Sequence, residues 1–208
     1  MTLDEALDEC PIVAILRGVT PDEVVGVAEA LFQAGVRAIE TPLNSPSPLG
    51  SIARLAAAAR GRMVTGAGTV LGAGEVEAVA QAGGVLCVSP NTDAAVIAAA
   101  VERGLTPVPG FATATEAFVA IAAGARHLKL FPAATYGPGH LKALTAVLPG
   151  SVRVLAVGGV APADMAAWRA AGAAGLGMGS ELYRPGQSAE ETFEKARRAV
   201  EAAAVAWS

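Results

Sequence analysis

The chain has 208 residues, 53% of them hydrophobic and 16% charged, which is enough apolar material for one sizeable core and too much for a disordered chain. With 15 Lys+Arg against 19 Asp+Glu the net charge is -4, so no basic field is available to hold a nucleic-acid backbone, and nucleic acid is excluded as a partner. The longest apolar stretches, such as Ala94–Val101 and Ala117–Ala125, fall well below a transmembrane span, so a membrane is excluded too.

In chain order, Asp4, Glu5, Asp8 and Glu9 come first, where a secretory leader would carry a basic and then an apolar region, and the chain is expected to be cytoplasmic. Short β-branched runs then alternate with Gly/Pro/Asn turns and Ala-rich amphipathic segments. Eight strands are predicted, over Ile12–Arg17, Ala38–Leu43, Met63–Gly66, Val85–Ser89, Thr106–Pro109, His127–Phe131, Arg153–Val157 and Gly175–Met178. Helices fill the gaps. Thr20-Pro21-Asp22-Glu23 and Thr113-Ala114-Thr115-Glu116 carry capping-box signatures, and Gly35 stops the first of these helices. Pro162 opens a helix ending at Gly172, and Ser188 to Ala206 makes the last one.

Eight strand–helix units without a linker predict a single α/β domain over residues 1–208, folded as a (β/α)8 barrel (TIM barrel) with a short N-terminal helix over Met1–Glu9. That helix either plugs the bottom of the barrel or lies on its surface. The rival is a doubly wound open sheet, which calls for a glycine fingerprint after the first strand. Leu16-Arg17-Gly18 is no such fingerprint.

Barrel strands are packed on both faces, so an ionisable side chain within one needs a reason. In the sixth strand the period of two puts His127, Lys129 and Phe131 on one face and Leu128 and Leu130 on the other. If the leucines meet the helices, Lys129 points into the barrel near its C-terminal end. A lysine desolvated there loses part of its preference for the charged form, and a neutral amine attacks a carbonyl to form a Schiff base. The same alternation sends Glu40 inward from the second strand, where it would act as the acid/base that such chemistry needs, or as a plain ion-pair partner of Lys129. Arg17 closes the first strand on the same rim, its planar fork suited to a substrate carboxylate or to a salt bridge with Glu40.

Glycine pairs end the last two strands, Gly158-Gly159 after the seventh and Gly177-Met178-Gly179-Ser180 at the eighth. Backbone amides free of Cβ obstruction, with the start of a following short helix, suit a phosphate, and Ser180 adds a hydroxyl. Gly66-Ala67-Gly68-Thr69 is read as a similar loop after the third strand, with Thr69 as a donor to a carboxylate or hydroxyl. Cys10 and Cys87, without a CxxC, and the isolated His127 and His140 supply neither a disulfide framework nor a zinc site, and no metal or cofactor is expected.

Glu40 in its strand setting, Gly66-Ala67-Gly68-Thr69-Val70, Ser89-Pro90-Asn91, Pro109-Gly110, Lys129-Leu130-Phe131-Pro132 and Gly158-Gly159 recur in an order that resembles the 2-keto-3-deoxy-6-phosphogluconate/phosphogalactonate aldolases over nearly the whole chain. The resemblance implies a class I aldolase barrel, commonly a homotrimer, that cleaves its small-molecule substrate to pyruvate and D-glyceraldehyde 3-phosphate without a metal. It implies Lys129 as the Schiff-base residue and Glu40 as the general acid/base, acting through a water. It assigns the pyruvate-derived carboxylate to Arg17 and Thr69, the pocket wall to Phe131 and Pro90, and the phosphate to the Gly158–Gly159 and Gly179–Ser180 loops. Many phosphogluconate enzymes carry an arginine four residues after the strand-two glutamate and a threonine just before the Gly-Gly. Asn44 and Val157 stand there instead, which points to the phosphogalactonate branch, with the phosphogluconate epimer or both as the alternative.

Two other classes compete. A phosphate-binding epimerase or isomerase barrel would share the glycine loops, but the epimerase needs metal ligands that two histidines do not supply, and the isomerase needs no inward lysine. A sugar-phosphate-binding barrel without chemistry would be expected to have lost Glu40 or Lys129.

Overall fold

The computed structural model describes residues 1–208. After helix α1 (Leu3–Glu9) come β1 (Ile12–Ile15), α2 (Val24–Ala34), β2 (Ala38–Pro42), α3 (Pro48–Ala59), β3 (Val64–Gly68), α4 (Ala73–Gln81), β4 (Leu86–Val88) and α5 (Ala94–Glu102). The second half runs β5 (Thr106–Val108), β6 (Gly110–Phe111), α6 (Ala114–Ala122), β7 (His127–Leu130), α7 (Ala133–Thr145), β8 (Arg153–Val157), α8 (Met165–Ala170), β9 (Gly175–Met178) and α9 (Ala189–Ala206). All strand pairs are parallel, in the order β5-β4-β3-β2-β1-β9-β8-β7-β6.

Eight of the nine segments are the predicted strands; β6 lies beyond the expected end of the fifth at Pro109 and continues it past the proline. Proline has no N–H to give to a ladder. Before it, Val88 pairs with Val108; after it, Gly110 pairs with Lys129. The Pro109 carbonyl itself accepts the Lys129 N–H at 2.9 Å, so β5 and β6 at the two ends of the sheet are one continuous chain and the barrel closes.

Alternation sorts the side chains as the period of two requires. Ile12, Ala14, Ile39, Leu128, Leu130, Val154, Ala156 and Leu176 face outward into the helix layer, where they pack with Val24, Leu31, Ala117, Leu141 and Ala199. Val13, Ala38, Val64, Leu86, Val88, Val108, Leu155 and Val157 fill the inside. Leu3, Ala6 and Leu7 of α1 belong to that inner cluster, so the N-terminal helix is a plug. Its acidic residues fasten it to the lower rim: Asp4 Oδ1 lies 2.9 Å from His127 Nε2 and 3.1 Å from Arg153 Nη1, Asp8 pairs with Arg153 at 2.8 Å, and Glu9 pairs with Arg37 at 2.8 Å.

The capping signatures act as local chemistry dictates. Thr113 and Ser188 accept the N–H of the residue three positions on, Glu116 and Glu191. At Thr20 the roles are reversed: the Glu23 carboxylate accepts both the Thr20 N–H and its hydroxyl, and α2 begins only at Val24. Pro162 opens a 3-10 turn before α8, and Gly35 ends α2 in the left-handed region. No helix is long and apolar enough to cross a membrane.

Because Leu7 is 2% exposed within the inner cluster, Leu7→Ala is expected to lower stability by about 2–5 kcal/mol in denaturant unfolding. A loss below about 1 kcal/mol would mean that α1 does not close the barrel.

Candidate active site

A cavity of about 610 Å³ opens at the C-terminal ends of the strands, and all eleven site residues expected from the sequence line it. Glu40 and Lys129 form its floor and are 4% and 5% exposed. Each is flanked along its strand by an outward aliphatic neighbour, Ile39 and Leu128, which fixes the inward direction of the polar side chain. No ion pair at contact distance joins Glu40 to Lys129 or to Arg17. Glu40 Oε2 is buried and has no hydrogen-bond partner.

Burial governs both charges. It pushes the Glu40 carboxyl up to about 6, against the opposing pull of Lys129 and Arg17. It pushes Lys129 below the ordinary lysine range, helped by the Arg17 charge and opposed by Glu40. The Phe131 ring lies 4.7 Å from Lys129 Nζ, a cation–π contact that holds the amine when charged. The other two lysines sit elsewhere: Lys195 pairs with Glu191 on α9, and Lys142 is exposed on α7.

The Gly66-Ala67-Gly68 run is not a loop after the third strand; it is the strand, since β3 extends to Gly68. Its glycines serve close approaches inside the barrel. A Cβ at Gly66 would fall on the Leu86 backbone, and one at Gly68 would fall on the Glu40 carboxylate. Thr69 follows in the left-handed region at φ 58°, a costly conformation for a β-branched residue, of order 1–3 kcal/mol. It is held there by the flanking ladder, Leu43 N–H to Gly68 O at 2.8 Å and Val70 N–H to Val88 O at 3.1 Å, and it lines the cavity.

On the opposite wall Val157 ends β8 with its side chain inward, against Gly177 of β9. The N–H groups of Gly158, Gly159, Gly179 and Ser180 donate to nothing within the chain, so the two loops present unpaired amides beside the cavity. No helix starts directly after β9. Gly179–Tyr183 is a single turn, with the Tyr183 N–H donating to Gly179 O at 3.0 Å, and α9 begins only at Ala189. The glycine loops thus offer free backbone amides to an anion, and the helix start expected after the last strand is absent.

Sequence reasoning missed Tyr183, Arg184 and Pro185, which line the cavity from the segment after β9. Tyr183 is 2% exposed and its hydroxyl has no partner. Their position on the C-terminal loop of the last strand was the one available signal.

A carbonyl compound held over Lys129, with a carboxyl of midpoint near 6 in the same apolar pocket, meets the requirements of amine-dependent carbon–carbon chemistry. The sequence pattern of the family described as KDPG and KHG aldolase matches residues 3–198. The chain belongs to that family. It is thus an aldolase, a carbon–carbon lyase. It is 50% identical over 92% of its length to the 2-dehydro-3-deoxy-6-phosphogalactonate aldolase of Escherichia coli, covering 94% of that protein. A solved structure described as native KDPGal superposes with a TM-score of 0.93 at 49% identity, over 95% of this chain and 96% of that one. A protein cage designed by fusing symmetric oligomeric domains matches with a TM-score of 0.94 at 49% identity, over 96% of this chain and 74% of that one.

Gly68→Ala is expected to displace the Glu40 carboxylate and lower kcat for aldol cleavage by about a hundredfold, with the circular dichroism spectrum unchanged. Wild-type kcat in that variant would show that the missing Cβ does not set the carboxylate's position.

Proposed function

We propose that the protein is a class I aldolase that cleaves 2-dehydro-3-deoxy-6-phosphogalactonate to pyruvate and D-glyceraldehyde 3-phosphate, through a Schiff base on Lys129. The observation that carries this reading is the burial of Lys129 and Glu40 on one cavity floor without an ion pair between them. The names of the relatives supply the substrate.

In this mechanism neutral Lys129 adds to the 2-keto carbon, and the carbinolamine loses water to give an iminium. The carboxylate of Glu40 takes the C4 hydroxyl proton as the C3–C4 bond breaks, directly or through a water. The electron pair goes to the iminium as an enamine and the aldehyde leaves. Protonation of the enamine at C3 and hydrolysis then release pyruvate and the free lysine. Arg17 and Thr69 hold the carboxylate, Phe131 and Pro90 bound the pocket, and the amides of Gly158, Gly159, Gly179 and Ser180, with the Ser180 hydroxyl, take the phosphate.

Val157 places an aliphatic wall where a hydroxyl would otherwise pair with the substrate, which favours the galactonate epimer. The phosphogluconate epimer is the second reading, since one hydrogen bond discriminates by only about 1–3 kcal/mol. We further infer a homotrimer in the cytoplasm. Val101, Phe118 and Val119, exposed on the neighbouring helices α5 and α6, support an assembled protein, as does the match to symmetric oligomeric domains. A phosphorylated substrate suits the cytoplasm, because its dianion does not cross a membrane unaided.

Incubation with pyruvate and borohydride, followed by peptide mapping, is expected to place the reduced adduct on Lys129 alone. An unmodified Lys129 in folded protein would sink the Schiff-base mechanism. With the adduct in hand, kcat/KM on the two epimers is expected to favour the galactonate form, and Val157→Thr to move the ratio toward the gluconate form by about tenfold. Because Glu40 must be ionised to accept the proton, the rate should fall as pH drops through about 6. A pH-independent rate between pH 5 and about 7 would remove Glu40 from that role.

A further inference from the structure

Arg17 and Asn44 extend from the ends of the neighbouring strands β1 and β2, and their side chains meet, with Arg17 Nη1 donating to Asn44 Oδ1 at 2.6 Å. The next residues repeat the contact one step along. The Gly18 N–H donates to Ser45 Oγ at 2.9 Å, and the buried Ser45 is fixed in turn by its own N–H on the Pro42 carbonyl, also at 2.9 Å. Gly18 has φ 80° and lies so close to the loop after β9 that a Cβ there would sit 2.7 Å from Pro185 Cγ. The three loops around Arg17 are therefore clasped to one another.

Arg17 lines the cavity and Asn44 does not. Arg17 makes no ion pair with any carboxylate of the chain, and its one side-chain hydrogen bond is to the neutral amide of Asn44. We propose that Asn44 is a positioning residue whose amide oxygen holds the Arg17 guanidinium at the cavity as an uncompensated cation for a substrate carboxylate. The proposal rests on the reading of Arg17 as the carboxylate site.

The residue type matters as much as the position. An aspartate at 44 would keep the hydrogen bond but meet the guanidinium with a charge of its own, in competition with the ligand. An alanine would release a long, exposed side chain to sample many rotamers, so that ordering it becomes part of each binding event. Asparagine avoids both penalties. Position 44 thus bears on the carboxylate end of the substrate through Arg17, and need not stand beside the C4 hydroxyl to influence catalysis.

The test measures the pyruvate concentration that half-saturates borohydride trapping on Lys129, in wild type, N44A, N44D, R17A and the N44A/R17A double variant, with thermal melting to verify folding. N44A is expected to raise that concentration about tenfold and N44D at least as much, while maximal trapping stays at the wild-type level. R17A should raise it further, and the double variant should match R17A, because Asn44 acts only through Arg17. Wild-type half-saturation in N44A overturns the proposal. Additive effects in the double variant also overturn it, since Asn44 would then bind the ligand itself. An unchanged R17A removes the carboxylate reading of Arg17 and the positioning role with it, while trapping on Lys129 would still stand.

Discussion

Desolvation of one carboxyl and one amine is the constraint around which this barrel is organised. Glu40 and Lys129 are the ionisable side chains of the cavity floor, and water is largely excluded from both. A carboxyl whose midpoint moves from 4.5 to about 6 is about 2 kcal/mol harder to ionise than in water. A protein that needed only stability would place aliphatic residues there, as it does one layer below at Val13, Val64 and Leu155. The cost is offset by the rest of the inner cluster and by α1, whose Leu3 and Leu7 seal the opposite end. The lower half of the barrel is thus a dry core, and the upper half is the place where polarity is tolerated.

Room for the two polar side chains comes from glycine. Beyond Val64, the inward positions of β3 and β9 are Gly66, Gly68, Gly175 and Gly177, which alternate with outward Ala67, Leu176 and Met178. A side chain at Gly68 would collide with Glu40 and one at Gly177 with Val157. These glycines weaken their strands locally, by roughly 0.5–1 kcal/mol each against alanine. In return the barrel encloses a cavity at one end.

The architecture was legible in the sequence because two periods carried it. The period of two sorts Lys129 from Leu128 and Leu130, and Glu40 from Ile39. The eight strand positions emerged within a few residues for the same reason. The continuation of the fifth strand beyond Pro109 is not legible, because a proline reads as a strand end, and nothing local says that its carbonyl joins the two ends of the sheet. The plug was undecidable from α1 itself, since Leu3, Ala6 and Leu7 make an apolar face that suits a surface helix equally well; only contacts with Leu155 and its neighbours distinguish the cases. The third strand is expected to end at Gly66, two residues early, because glycine runs usually punctuate, whereas here Gly66 and Gly68 each mark a close approach within the strand. Tyr183 and Arg184 escaped notice because irregular segments have no period from which to read a direction. The Arg17–Asn44 bond is equally invisible, being a contact between loops that only barrel closure brings together.

In the role proposed for it, Arg17 links recognition to reactivity. Left to themselves, Glu40 and Lys129 favour each other's charged forms, the carboxylate raising the lysine and the ammonium lowering the carboxyl. That mutual preference works against the chemistry, which needs an ionised carboxylate beside a neutral amine. The Arg17 charge breaks the symmetry, because it lowers both groups: it helps Glu40 to ionise and Lys129 to lose its proton. In that role one cation at the rim would both attract a carboxylate-bearing substrate and bias the floor toward its reactive state before the substrate arrives. An ion pair from the protein at Arg17 would cancel both effects. A neutral partner at Asn44 preserves them.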